Sequence, residues 1–219
     1  MTQFSEDVCR AWQSGVLIAL CGIDGSGKST ILAALQDRLR ASGFPVTLTQ
    51  QPTNFYRQAR PVRDYHDRGA EGSCQEALAL LSAADRLLHV KLEVVPALTR
   101  GDVVLSHRFL DATYAIFAAR GLDRSWLRQI NQFCPPAHAT ILLDCPGDVA
   151  CERIARRGGA IRLEERSPEL LERIRREYLA GAAESTLVVD ALLPSETVIE
   201  TCEAHVRSAI ATRRSNVRS

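Results

Sequence analysis

With 219 residues, 46% of them hydrophobic, and a formal net charge of only +1, the chain has enough apolar content for a folded core and no global electrostatic reason to bind nucleic acid or an anionic membrane surface. No apolar run approaches the ~20 residues of a membrane-spanning helix, and Met1–Asp7 has neither the basic nor the apolar segment of a secretion signal. Seven cysteines, at positions 9, 21, 74, 134, 145, 151 and 202, include no Cys-x-x-Cys pair; they read as buried, reduced thiols of a cytoplasmic protein, not as a disulfide frame or zinc site. Lys28 and Lys91 are the only lysines, so nearly all positive charge is arginine, which suits bidentate contacts to phosphate and equally reflects codon bias.

In chain order, residues 5–14 predict a short amphipathic helix, with Val8, Cys9 and Trp12 on one side, as a peripheral cap. Val16–Cys21 is an unbroken apolar run, read as a buried parallel strand, and Lys28–Ala41 has apolar residues at helical spacing. Between them lies Gly22-Ile23-Asp24-Gly25-Ser26-Gly27-Lys28-Ser29-Thr30. Strand, glycine loop and helix form the arrangement that cradles phosphates: glycines let successive N–H groups face an anion, and the helix N-terminus adds partial positive charge. Lys28 reaches the β- and γ-phosphates of a bound nucleotide in this reading, and the Ser29 hydroxyl holds Mg²⁺. The alternative is a glycine-rich turn with no ligand.

Ser42-Gly43 ends the helix, and Pro45–Thr49 predicts a second strand. Gln50 to Arg63 reads as a polar loop carrying Pro52, Phe55, Tyr56, Arg57, Arg60 and Arg63, and a loop leaving a strand end in an open α/β sheet lies over the ligand crevice. Its arginines are either substrate contacts or merely solvated. Cys74–Leu98 predicts a long helix with an apolar face of Leu78, Leu81, Ala84, Leu88, Val95 and Leu98 and a bend before Pro96. Asp85-Arg86 interrupts that face, as a pair held in a crevice or at a surface edge does. Asp102–Ser106 is the third strand, with His107-Arg108 at its carboxyl end, where such sheets place their chemistry.

Helical patterns follow at Leu110–Ala119 and Ser125–Phe133, then a break at Pro135-Pro136 and a fourth strand at Thr140–Asp144. Val149–Arg157 is a helix, Gly158–Arg162 a loop and Glu169–Ala183 another helix. Arginines 153, 156, 157, 162, 166, 173, 175 and 176 crowd this region, which suits a mobile lid that brings cations to a transferring phosphoryl group. A solvated hairpin laced by i,i+4 pairs such as Glu169–Arg173 is the competing reading. Ser185–Asp190 is the last strand, and Ser195–Ala211 a closing helix before a frayed basic tail, Arg213–Arg218. Strands and helices alternate without a linker or internal repeat, so the fold is a parallel sheet flanked by helices.

Leu81-Ser82-Ala83-Ala84-Asp85-Arg86-Leu87-Leu88-His89-Val90, Pro96–Val104, His107-Arg108-Phe109 and Leu143-Asp144-Cys145-Pro146 resemble successive motifs of the bacterial thymidylate kinases. With the phosphate loop, Arg153–Glu164 and Val189-Asp190-Ala191, the resemblance runs from residue 16 to about 205. It implies a three-layer α/β/α fold of the P-loop nucleoside monophosphate kinase type over 1–219, with a five-stranded parallel sheet and an arginine-rich lid within about 153–167. It further implies transfer of the ATP γ-phosphoryl group to dTMP, Mg²⁺ as cofactor, and a homodimer packed through helices. Carried over residue by residue, Gly22, Ile23, Asp24, Gly25, Ser26, Gly27, Lys28, Ser29, Thr30 and Arg153 hold the donor, and Ser29 serves the metal. Asp24 faces the acceptor sugar, and Arg86 and Arg108 grip the acceptor's base side and phosphate. Pro52, Phe55, Tyr56, Arg57, Ser82 and Phe117 complete the acceptor site. Gly25 stands where one subclass has a loop arginine, so the catalytic cation comes from the lid, where Arg153, Arg157 and Arg162 fall.

The chain departs from the family pattern at three places. His107 replaces an aspartate, Ser82 replaces a phenylalanine that stacks on thymine, and Gln50-Gln51 replaces Arg-Glu before Pro52. Phe55, Tyr56 and Phe117 are candidates for the missing ring. These departures keep two alternatives open: a kinase of the same fold with another nucleotide or phosphorylated metabolite as acceptor, and a catalytically weakened nucleotide-binding homologue.

Overall fold

The computed structural model describes residues 4–69, 73–158 and 163–218. At its centre, β1 (Val16–Cys21) is buried at all six positions, because a strand without polar alternation has no face to offer water and is covered on both sides. It pairs in parallel with β3 (Val103–His107) on one side and β4 (Ala139–Asp144) on the other. β2 (Val46–Gln50) and β5 (Thr186–Asp190) complete a five-stranded parallel sheet in the order β2-β3-β1-β4-β5. All carboxyl ends therefore lie on one edge. The glycine loop leaves β1 at the middle of that edge, with His107 level with Leu20 and Gln50 on its neighbours.

Helices flank the sheet. α1 (Glu6–Ser14) lies against α6 (Val95–Thr99), and its Trp12 indole donates to the Pro136 carbonyl at 3.0 Å. α2 (Lys28–Ala41) packs with α11 (Ser195–Arg218), while α10 (Pro168–Gly181) packs with both α7 (Leu110–Ala119) and α9 (Gly147–Arg157). α8 (Arg124–Ile130) is capped by Asp123, whose carboxylate accepts from the Trp126 N–H at 2.8 Å.

Local chemistry overrides the sequence reading in several places. The predicted polar loop 50–63 instead contains α3 (Asn54–Arg57) and the start of α4 (Arg60–Arg68). Thr53 caps the first by accepting from Phe55 N–H, and Pro61 sits in the first turn of the second, so residues that look like loop punctuation are helix-start signals here. The basic tail is helical to Arg218, not frayed, and Arg213 donates to the Trp12 carbonyl at 2.6 Å. Cys74 is exposed, although Cys21, Cys134, Cys145 and Cys202 are buried as expected.

The long helical stretch is α5 (Gln75–His89), one π-helical turn over Val90–Val94, and α6, so the bend before Pro96 is a change of helical winding. Its predicted apolar face splits. Leu78, Leu98 and the polar Ser82, Asp85, Arg86 and His89 are buried, whereas Leu80, Ala84, Leu88 and Leu92 face outward. Asp85 and Arg86 are buried without bonding each other. Asp85 accepts from the Thr53 N–H at 2.9 Å and from its hydroxyl, while Arg86 donates to Asn131 at 3.2 Å and to Thr113.

Candidate functional site

The loop after β1 needs glycine for two separate reasons. At Gly25 (φ 83) a Cβ would stand 2.4 Å from the Ala150 carbonyl oxygen, and at Gly27 (φ 93) the positive φ itself turns the chain into α2. This geometry buries Lys28 at the helix start, with its ammonium donating to the Ile23 carbonyl at 2.7 Å and lying 3.9 Å from Asp24. Ser29 and Thr30 are exposed toward a broad cleft. The cleft runs over the loop to Arg153, Arg157, Ala191 and Val198 at one end and to Leu48 and Phe55 at the other.

A second cavity, of about 110 Å³, lies beside it, lined by Pro52, Tyr56, Ser82, Arg86, Phe117 and neighbouring residues. Asp24, Arg57 and His107 line both spaces and so mark where the two meet. Arg108 also lines the second cavity; it is buried, donates to Asp24 at 2.6 Å and to the Tyr178 hydroxyl at 3.0 Å, and has φ 70. Among the described residues it is the one non-glycine with positive φ, a strain of the kind that persists where surrounding contacts over-determine a functional side chain. Burial works against its charge, and Asp24 and Tyr178 outweigh that, holding its pKa above the ordinary arginine value. The arrangement has the chemistry to hold an anion on the glycine loop and Lys28, with a buried cation, Arg108, lining the adjoining cavity.

The thymidylate kinase sequence model matches residues 20–201. A probable thymidylate kinase of Pyrococcus abyssi is 37% identical over 199 residues, covering 88% of this chain and 96% of its own. A thymidylate kinase of Xanthomonas oryzae pv. oryzae is 34% identical over 201 residues, 92% of this chain and 87% of its own. The probable thymidylate kinase of Archaeoglobus fulgidus is 33% identical over 186 residues, 84% and 91% of the two chains. The chain belongs to the thymidylate kinase family.

The structure sorts the residues that the family resemblance singles out. Gly25, Ser26, Gly27, Lys28, Ser29, Thr30 and Arg153 line the cleft, and Asp24 sits at its junction with the cavity. Ile23 faces the cavity while its carbonyl holds Lys28. Gly22 (φ 137) has Leu143 O and Ser26 Oγ where a Cβ would be. Arg153 is tied to the Ala191 carbonyl at 3.0 Å, and Arg157 pairs with Glu165 at 3.1 Å. Arg162 lies outside the described residues. The i,i+4 pair Glu169–Arg173 is replaced: Glu169 accepts from Ser167, and Arg175 grips Asp144 through two nitrogens at 2.6 and 2.9 Å. Phe55 is more than half exposed and lines the cleft, not the cavity; the rings beside Ser82 are Tyr56, Phe109 and Phe117.

Other residues around the site were not among the candidate site residues read from the sequence. Tyr178 reaches Arg108 from the last turn of α10, where its spacing marks only a core position. Arg120 lies over the rings of Tyr65 and Phe117 at 4.3 and 4.9 Å and pairs with Glu164, closing the far end of the cavity. Gln51, next to Pro52 at the strand end, is buried against the same cavity.

The same packing also shifts His107 and Lys28. Burial, then the Lys28 and Arg108 charges, hold His107 near a pKa of about 3, so it is neutral throughout the physiological range. Burial and Arg108 also lower Lys28 to about 7, with Asp24 opposing. A bound triphosphate restores the lysine charge by pulling its pKa back toward the ordinary ammonium value. Binding of MgATP at pH 8 should therefore take up close to one proton, and at pH 6, where the lysine is already charged, almost none. Titration calorimetry in two buffers of different ionisation enthalpy reads this directly, and equal heats at pH 8 in both would contradict it.

Proposed function

We propose that this chain transfers the γ-phosphoryl group of ATP to dTMP, giving ADP and dTDP. The observation that carries the reading is the junction of Asp24, Arg57 and His107 between the glycine-loop cleft and the cavity of Arg86 and Arg108. In this reading two phosphate groups lie end to end there, one on the loop amides and Lys28, the other on Arg108 and Arg57. An oxygen of the dTMP phosphate forms the new bond to the γ-phosphorus as the bond to the β,γ-bridging oxygen breaks, and that oxygen leaves with ADP. The attacking oxygen is already anionic, so no general base is needed, consistent with a neutral His107. Charge spreads onto the transferring oxygens in a loose transition state, and fixed cations stabilise it. Lys28, Arg108 and the lid arginines Arg153, Arg157 and Arg162 are the candidates for that work.

The donor set around the loop fits magnesium carried mainly by the nucleotide. Ser29 offers an exposed hydroxyl, Asp24 is engaged by Arg108, and no cluster of three metal-ligating side chains exists among the described residues. Mg²⁺ keeps several waters and binds through few protein oxygens plus phosphates, so Ser29 would hold it, and it would neutralise β- and γ-phosphate charge. An acceptor panel of dTMP, dUMP, UMP, dCMP and dGMP with MgATP, read as ADP release, tests the substrate. The highest kcat/KM should be for dTMP, and a larger value for any other would overturn it.

A homodimer and a cytoplasmic location complete this reading; no described helix is long and apolar enough to cross a membrane. The outward stripe of Leu80, Ala84, Leu88 and Leu92 is the face we assign to the second copy. Light scattering should give twice the 24.1 kDa chain mass, and Leu88→Glu should shift it to the monomer.

A further inference from the structure

The polar groups of the smaller cavity are not all satisfied within the protein. Gln51, directly after β2, is only 2% exposed, and neither its carboxamide oxygen nor its nitrogen has a hydrogen-bond partner. Its backbone is fixed, since its N–H donates to the His107 carbonyl at 2.9 Å. In the same cavity, Nη1 of the buried Arg86 is also unpaired, while its other nitrogens are taken by Asn131 and Thr113. Burying an amide with nothing to bond is a net cost, and buried polar groups in native proteins are as a rule satisfied by protein, water or ligand. Here an amide with one donor and one acceptor side and a donor-only guanidinium line the same cavity.

We infer that Gln51 is a specificity-determining residue of the acceptor site, its buried, unpaired carboxamide hydrogen-bonding a group on the nucleoside part of the acceptor that both donates and accepts. A phosphate does not fit this role. It only accepts, so it would leave Oε1 facing negative charge, and the cavity already has a dedicated cation for it in Arg108. The required chemistry exists at two places on a thymidine nucleotide: the imide edge of the base, where an N–H adjoins a carbonyl, and the sugar hydroxyl. This inference rests on the proposed reaction with dTMP, and its test separates the two.

Gln51→Met and Gln51→Leu remove the amide while keeping apolar bulk. Because the amide is unsatisfied in the ligand-free protein, both variants should melt at the wild-type temperature or above it. The KM for dTMP should rise about tenfold or more while the KM for ATP stays within twofold, a split that loss of structural support alone does not produce. Wild-type enzyme should lose a similar factor on either 3-methyl-dTMP or 3′-deoxy-dTMP, whichever lacks the group that Gln51 reads, and the variants should not distinguish that analogue from dTMP. An unchanged dTMP KM in active variants, or a lower melting temperature in both, would overturn the role of Gln51 while leaving dTMP as substrate. A wild-type protein that neither binds dTMP nor makes dTDP would overturn the proposed reaction, and this inference with it.

Discussion

Lys28→Ala should abolish measurable ADP formation, lowering kcat/KM by at least about 10³-fold, the scale on which fixed cations act in phosphoryl transfer. Lys28 is buried at the helix start with its ammonium held by the Ile23 carbonyl, so no other lysine or arginine of the described loop can take over the position. The substitution should not unfold the protein. Alanine is a better helix former than lysine only slightly, and losing a buried, desolvated cation removes a cost from the ligand-free state. Steady-state kinetics with a melting curve check both halves: a folded Lys28→Ala protein with near-normal turnover would exclude the loop as the donor site. The same variant should lose the proton uptake that accompanies MgATP binding at pH 8.

Arg108→Ala should be the next most severe, and its signature should differ. Arg108 joins Asp24 to Tyr178 and lines the cavity, so its loss removes the acceptor's phosphate partner and the shorter of the two ion pairs of Asp24, leaving the Lys28 ammonium at 3.9 Å. We expect kcat/KM for dTMP to fall about 10²–10³-fold, with a much smaller change in ATP binding. Stability should drop as well, because removing one partner of a buried ion pair costs up to about 3–5 kcal/mol, discounted here for the partial exposure of Asp24. Arg108→Lys should recover little, since a single ammonium cannot reproduce the fork that bonds both partners. Isothermal titration with ATP and dTMP separately, for both variants, distinguishes donor loss from acceptor loss.

The strand–loop–helix unit was legible because each local signal agrees with the tertiary environment. An apolar run bounded by glycines must be a covered strand, and the loop's glycines leave few other conformations for it. Arg108 was legible from its place at a strand end. The helix over the cavity was read only in part, for a physical reason: α5 buries Leu78 as its spacing predicts, but it also buries Ser82, Asp85, Arg86 and His89 and turns Ala84 and Leu88 outward, so periodicity located the helix and only part of its buried face. Helices α3 and α4 were missed because Thr53 and Pro61 act as helix starters only when the following residues find tertiary partners, as buried Tyr56, Val62 and Tyr65 do. Tyr178 and Arg120 carry no pattern at all, and Gln51 shows in the sequence only as a departure from the family pattern before Pro52. Their importance comes from which groups the fold leaves beside them.

The central claim is that two phosphates meet end to end at the junction of cleft and cavity. A crystal structure of the enzyme with a non-hydrolysable ATP analogue, Mg²⁺ and dTMP tests it most directly. It should show the triphosphate on the Gly22–Thr30 amides with Lys28 at its β- and γ-phosphates, and the dTMP phosphate within hydrogen-bond distance of Arg108, in line with the γ-phosphorus. Finding dTMP elsewhere, or its phosphate turned away from Arg108 with both ligands bound, would contradict the account.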